Sequence, residues 1–90
     1  MKKFPPEGKH PCSLIAFGDY IPSKKPPFMF LRAEVETSHG TIWATIRGTV
    51  DSLPFIKLME KELKSKPLYV VVWHHEVEGQ LYMLAELRVS

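Results

Sequence analysis

The stretch PPFMFLRAEVETSHGTIWATIRG, Pro26 to Gly48, decides how this chain folds. It reads with a period of two on both sides of SHG. From Phe28 to Thr37, Met29, Leu31, Ala33 and Val35 share one parity, while Phe28, Phe30, Arg32, Glu34 and Glu36 share the other. Successive side chains of a strand point to opposite faces, so the first set is core and the second turns to water. Thr41 to Arg47 repeats the pattern, with Ile42, Ala44 and Ile46 inward and Thr41, Trp43, Thr45 and Arg47 outward. The two outward sets face one another only if paired residue numbers have an odd sum. A two-residue or four-residue turn, for example with His39-Gly40 at its tip, satisfies this. A plain three-residue loop would set Glu36 opposite Ile42 and would need a bulge to recover.

Working outward from this hairpin, CSLIAFGDYI (Cys12 to Ile21) is apolar, β-branched and aromatic enough for a strand, with Gly18 marking a bulge or sharp coil. PSKKPP follows as a loop, because prolines lack the ladder donor and lysines favour water. Downstream, TVDSLPFIKLMEKELKSKP changes period: Asp51 or Ser52 caps a helix that accepts Pro54 in its first turn, and Phe55/Ile56, Met59 and Leu63 recur at helical spacing. Glu60 with Lys64, and Glu62 with Lys66, are i,i+4 pairs in the favourable order, and Pro67 stops the helix. LYVVVWHH is a strand apolar on both faces, EVEG is a loop, and GQLYMLAELRV is a last strand with Leu81, Met83, Ala85, Leu87 and Val89 on one side.

The order is therefore β-β-β-α-β-β, a mainly β chain with one helix between strands three and four. That order, with a coiled first strand, resembles the OB-fold, a small five-stranded barrel, over roughly Cys12 to Val89. The resemblance is one of element order and patterning, since the fold has no residue motif to match. It implies an OB-like barrel of the kind found in single-stranded nucleic-acid-binding proteins, with ligand on strands two and three, gripped by the loops joining strands one to two and four to five. Those places are Phe28 to Thr37, Thr41 to Arg47, Ser23 to Pro27 and Val77 to Gln80. The small size is also similar to that of phage and plasmid single-strand-binding proteins.

Ninety residues make one domain with a single modest core. We read residues 12–90 as that OB-like domain. Residues 1–11, with three prolines and three lysines, read as a flexible arm. Twelve Lys/Arg against ten Asp/Glu give a net charge of +2, so binding to a polyanion must come from local placement of charge rather than from the sum. A lone Cys12 cannot form an internal disulfide, the N-terminus lacks the apolar core of a secretory signal, and no run approaches the ~18 apolar residues of a span. A reducing, cytoplasmic setting without a membrane anchor is the expectation.

The outward hairpin face carries the chemistry. Residues two apart on a strand lie ~6.8 Å apart, twice the ~3.4 Å stacking step of a duplex strand. Bases resting on Phe28 and Phe30 would belong to an extended single strand. Phe28, Phe30 and Trp43 are candidates for stacking, Arg32 and Arg47 for phosphate contact or stacking, and Lys24 and Lys25 for guiding the backbone. Glu34 and Glu36 repel phosphate and confine the track to the Phe28/Arg47 end. The same face suits a protein-protein or oligomer contact, where Phe, Trp and Arg are enriched. Tyr69, Val71 and Trp73, the second apolar face of strand four, need a cover from the arm, the strand-one coil or a partner subunit, which points to self-association.

Other groups carry less. His10, Cys12, His39, His74 and His75 are metal-ligand types at poor spacing, because His74 and His75 point to opposite faces and His10 belongs to the arm. Cys12 suits a small buried hydrophobe. Glu76 and Glu78 read as solvated loop carboxylates, and Lys57, Lys61 and Lys64 as a solvated helix face. The chain holds no Gly-rich phosphate loop, nucleophile elbow or HExxH helix. The expectation is a non-catalytic binder of single-stranded DNA or RNA without cofactor or metal, the alternative being an interaction or oligomerisation module.

Overall fold

The computed structural model describes residues 5–89 and is mainly β, with five strands in one sheet and a short helical segment between the third and fourth. The strands are β1 (Gly8–Pro22), β2 (Phe28–Thr37), β3 (Gly40–Thr49), β4 (Leu68–Val77) and β5 (Gln80–Val89). Hydrogen-bonded neighbours follow the order β1-β2-β3-β5-β4, and β4 pairs back onto β1, so the sheet closes on itself. Four of the contacts are antiparallel ladders; the fifth, β3 with β5, is parallel and holds a single registered pair, Thr45 with Glu86. That sparse seam matters for the site below.

The hairpin follows its pleat. β2 and β3 pair from Phe28 with Thr49 to Thr37 with Gly40, always with an odd sum. Met29, Leu31, Ala33 and Val35 are all at 0% exposure, and Ala44 joins them. Leu14, Leu68, Val70, Val72, Ala85 and Leu87 complete the core from the other strands. Burying each large aliphatic side chain stabilises the fold by about 1.5–3 kcal/mol, so a one-residue slip would turn the whole set outward at prohibitive cost. The tip differs by one position from the His39-Gly40 reading. Ser38 and His39 are the central residues, and Gly40 follows with φ +108. Buried Thr37 closes the turn: its Oγ1 accepts the His39 N–H at 3.0 Å and donates to the Gly40 carbonyl at 2.9 Å.

The first strand departs from the sequence reading at its start. β1 begins at Gly8, and Gly8 to Cys12 pair with Val72 to Leu68 of β4. Residues 8–11, assigned to the arm, are therefore strand. Pro5 is buried with its carbonyl 2.7 Å from His74 Nε2, and Glu7 Oε2 accepts the His74 backbone N–H at 3.0 Å. The physical reason is that β4 would otherwise leave an open row of backbone donors and acceptors, which the arm's backbone satisfies despite its prolines. Residues 1–4 of the arm lie outside the described residues. Further on, the β1–β2 register shifts between Leu14 and Ala16 and again between Phe17 and Tyr20, the second shift spanning Gly18.

The helix is shorter and broken. A 3-10 turn at Val50–Ser52 precedes α1 (Leu53–Leu58) and α2 (Glu60–Leu63), with Met59 between them. The reciprocal cap is made by Thr49 and Ser52, each side chain meeting the other's backbone N–H, rather than by Asp51. Pro54 occupies the first turn of α1 as read. Glu62 pairs with Lys66 at 3.0 Å, but Glu60 turns to the sheet, where Oε2 accepts the Phe17 N–H at 2.7 Å. A backbone donor freed near a β1 bulge attracts a carboxylate more strongly than an exposed lysine does. Leu63 enters the core beneath. At the far end, Glu78 and Gly79 turn β4 into β5 with φ of 52 and 78, the signs of a type I′ hairpin. No helix among the described residues is long and apolar enough to cross a membrane.

Candidate nucleic-acid interface

The outward faces of β2 and β3 meet that of β5 across the seam. Because β3 and β5 share one registered pair, supplemented by Thr45 Oγ1 donating to the Ala85 carbonyl at 3.2 Å, the strands splay and leave a groove of about 460 Å³. Phe30, Arg32, Trp43 and Arg47 line it from the hairpin side, and Trp73, Leu84 and Glu86 line it from β4 and β5. Four of the seven residues singled out in the sequence are thus gathered in one concavity.

Trp43 is the centre of this wall. It is 45% exposed, and Arg32 stacks over its ring with the guanidinium carbon 4.4 Å from the centroid. The ring reaches across β2 as far as β1: a Cβ on Gly18 would come within 3.0 Å of Trp43 Cζ3 and 3.3 Å of Cη2. Gly18 therefore serves the close approach of Trp43 as well as the irregularity in β1. An alanine there forces the ring to move.

The remaining three sequence candidates lie outside the groove lining. Phe28 is half exposed, opposite Thr49 at the start of β2. Lys24 and Lys25 sit exposed in the loop from β1 to β2, which is pinned by Ser23 N–H donating to the Phe28 carbonyl at 3.1 Å and Phe28 N–H donating to the Lys25 carbonyl at 3.1 Å. These positions extend the hairpin face toward one end rather than filling the cavity.

Leu84, Glu86 and Arg88 were not singled out in the sequence, and Trp73 was read there only as part of the second apolar face of strand four. Trp73 and Leu84 pair across β4 and β5, both exposed, and Trp73 is the part of strand four's second apolar face that faces the groove. The rest of that face is occupied within the chain: Lys9 Nζ lies 4.3 Å from the Tyr69 ring centroid, and Val71 is half-buried opposite Glu86. Glu86 joins two arginines, with Oε1 3.2 Å from Arg88 and Oε2 3.8 Å from Arg47. The alternation of β5 was the signal available, but only closure against β3 shows which strand its polar parity faces.

Other candidate ligands are placed differently. His10 meets His39 edge to face at 5.1 Å, and its Nε2 lies 2.6 Å from the Pro6 carbonyl. Among the described residues no group of three or more His, Cys, Asp or Glu is arranged to hold a metal ion. Cys12 is partly buried, and loss of hydration pushes its thiol up from 9.0 to about 11, away from nucleophilic use near neutral pH. Comparison with known proteins finds no matching family model, no similar curated protein and no similar solved structure.

Proposed function

We propose that the closed sheet is an OB-like barrel and that it binds single-stranded nucleic acid, without catalysis, along the outward face of β2 and β3 and into the seam groove. The carrying observation is the Arg32–Trp43 stack set in an apolar groove with Phe30 and Trp73 on its walls and Arg47 at its rim. Such a site offers π-faces to unpaired bases and guanidiniums to phosphates, which is the chemistry a single strand presents and a duplex hides. Lys24, Lys25 and Phe28 extend the track beyond the groove. The strand order closing from β4 to β1, and the partly open β3–β5 seam, fit the OB-like architecture.

Binding of labelled oligo(dT) and oligo(U), followed by anisotropy over a salt series, tests this. Affinity falls with salt, and the double substitution Arg32→Gln with Arg47→Gln flattens the dependence by roughly one unit of slope per lost phosphate contact. Trp43→Ala weakens binding by about 1–3 kcal/mol. Absence of binding at low salt overturns the reading.

A second reading has its own support. Trp73, Tyr82 and Leu84 form an exposed apolar strip on β4 and β5, and Glu86 already engages both nearby arginines. That composition suits a protein or self-contact. Sedimentation with and without oligonucleotide separates the two: self-association insensitive to the arginine substitutions favours the interaction module.

A further inference from the structure

We propose that Glu86 makes the seam groove selective for guanine among the nucleobases, an inference that rests on the single-strand reading above. Glu86 stands at the one registered pair of the seam, opposite Thr45, and lines the groove with Trp43 and Trp73. Its side chain is only 23% exposed. Arg88 from β5 holds Oε1 at 3.2 Å and Arg47 from β3 faces Oε2 at 3.8 Å, so the carboxylate is oriented from both sides of the seam.

A carboxylate at this position repels phosphate and weakens every backbone contact near it. Arg47 and Arg88 balance its charge in the protein, and a ligand edge that donates to it turns the repulsion into recognition. Each carboxylate oxygen accepts along two lone-pair directions, and one arginine contact apiece leaves acceptor capacity on both. Guanine alone among the standard bases presents two adjacent donors, N1–H and the N2 amino group, which match two oxygens side by side. Cytosine and adenine offer one amino group beside a ring-nitrogen acceptor, and thymine and uracil offer one N–H flanked by carbonyls. All four of these bring an acceptor toward the carboxylate, although cytosine N4 still provides one good donor. Stacking on Trp43 tolerates any base, so discrimination falls to Glu86.

The test uses the unsubstituted protein with short oligo(dT) carrying one central dG, inosine, dC or dA, compared with oligo(dT) itself. The dG oligonucleotide binds about tenfold tighter than the others, the order of discrimination that one bidentate contact provides. Inosine, which keeps N1–H and lacks the amino group, loses most of that gain. In Glu86→Gln the amide replaces one acceptor by a donor, so the dG preference disappears while oligo(dT) still binds. Equal affinity for all five oligonucleotides, or a guanine preference that survives Glu86→Gln, overturns the proposal and leaves the single-strand reading standing. Failure of every oligonucleotide to bind removes both.

Discussion

At the scale of single residues, the molecule is shaped by where small or polar groups let large ones approach. Gly18 admits the Trp43 ring, and Arg32 covers that ring from β2. The sequence made Trp43, Arg32 and Arg47 visible through parity, and it marked Gly18 as a bulge. It could not show the Trp43 contact with Gly18, because that contact crosses two strands whose register is irregular. Cys12 gives a pH-dependent test at this scale. Its thiol holds its proton to about 11 in the folded chain, against 9.0 ordinarily. Below 9.0 both states are protonated and this group has no influence; between 9.0 and about 11 only the unfolded chain ionises, so stability falls as pH rises through that window. Urea unfolding from pH 8 to about 11 should therefore show a steeper decline for the native protein than for Cys12→Ala. Parallel profiles would mean that burial does not hold the proton there.

At the scale of elements, the hairpin was the most legible part, since a period of two and a buried face specify register strongly. Its test contrasts neighbours of opposite parity. Leu31→Ala removes a fully buried side chain and costs about 2–5 kcal/mol, whereas Phe28→Ala on the outward face costs about 1 kcal/mol or less. Chemical denaturation measures both, and equal losses would reject the assignment of faces. The helix was less legible. Its apolar spacing indicated one continuous element, yet the chain breaks at Met59, with Leu63 in the core and Glu60 bonded to Phe17. Those are tertiary demands, and local periodicity carries no information about them. β1 failed at its start for a related reason: prolines and glycine argue for a loose arm, but the edge of β4 supplies partners that a local reading does not contain.

At the scale of the whole molecule, closure creates the candidate site. The hairpin supplies one wall, while Trp73, Leu84 and Glu86 come from strands placed opposite it only because β5 inserts between β3 and β4. Half of the groove was therefore unreadable from any local pattern. Closure also gathers Arg47 and Arg88 around Glu86 at the seam, while Glu34 stands opposite Trp43 and Glu36 lies toward the hairpin tip. The most direct measurement uses Trp73→Phe, which leaves Trp43 as the sole tryptophan, and follows its emission during titration with oligo(dT) and oligo(U) at low salt. The account predicts quenching that saturates and reverses as salt is added. Emission unchanged by either oligonucleotide, with electrophoretic mobility also unchanged, would contradict it.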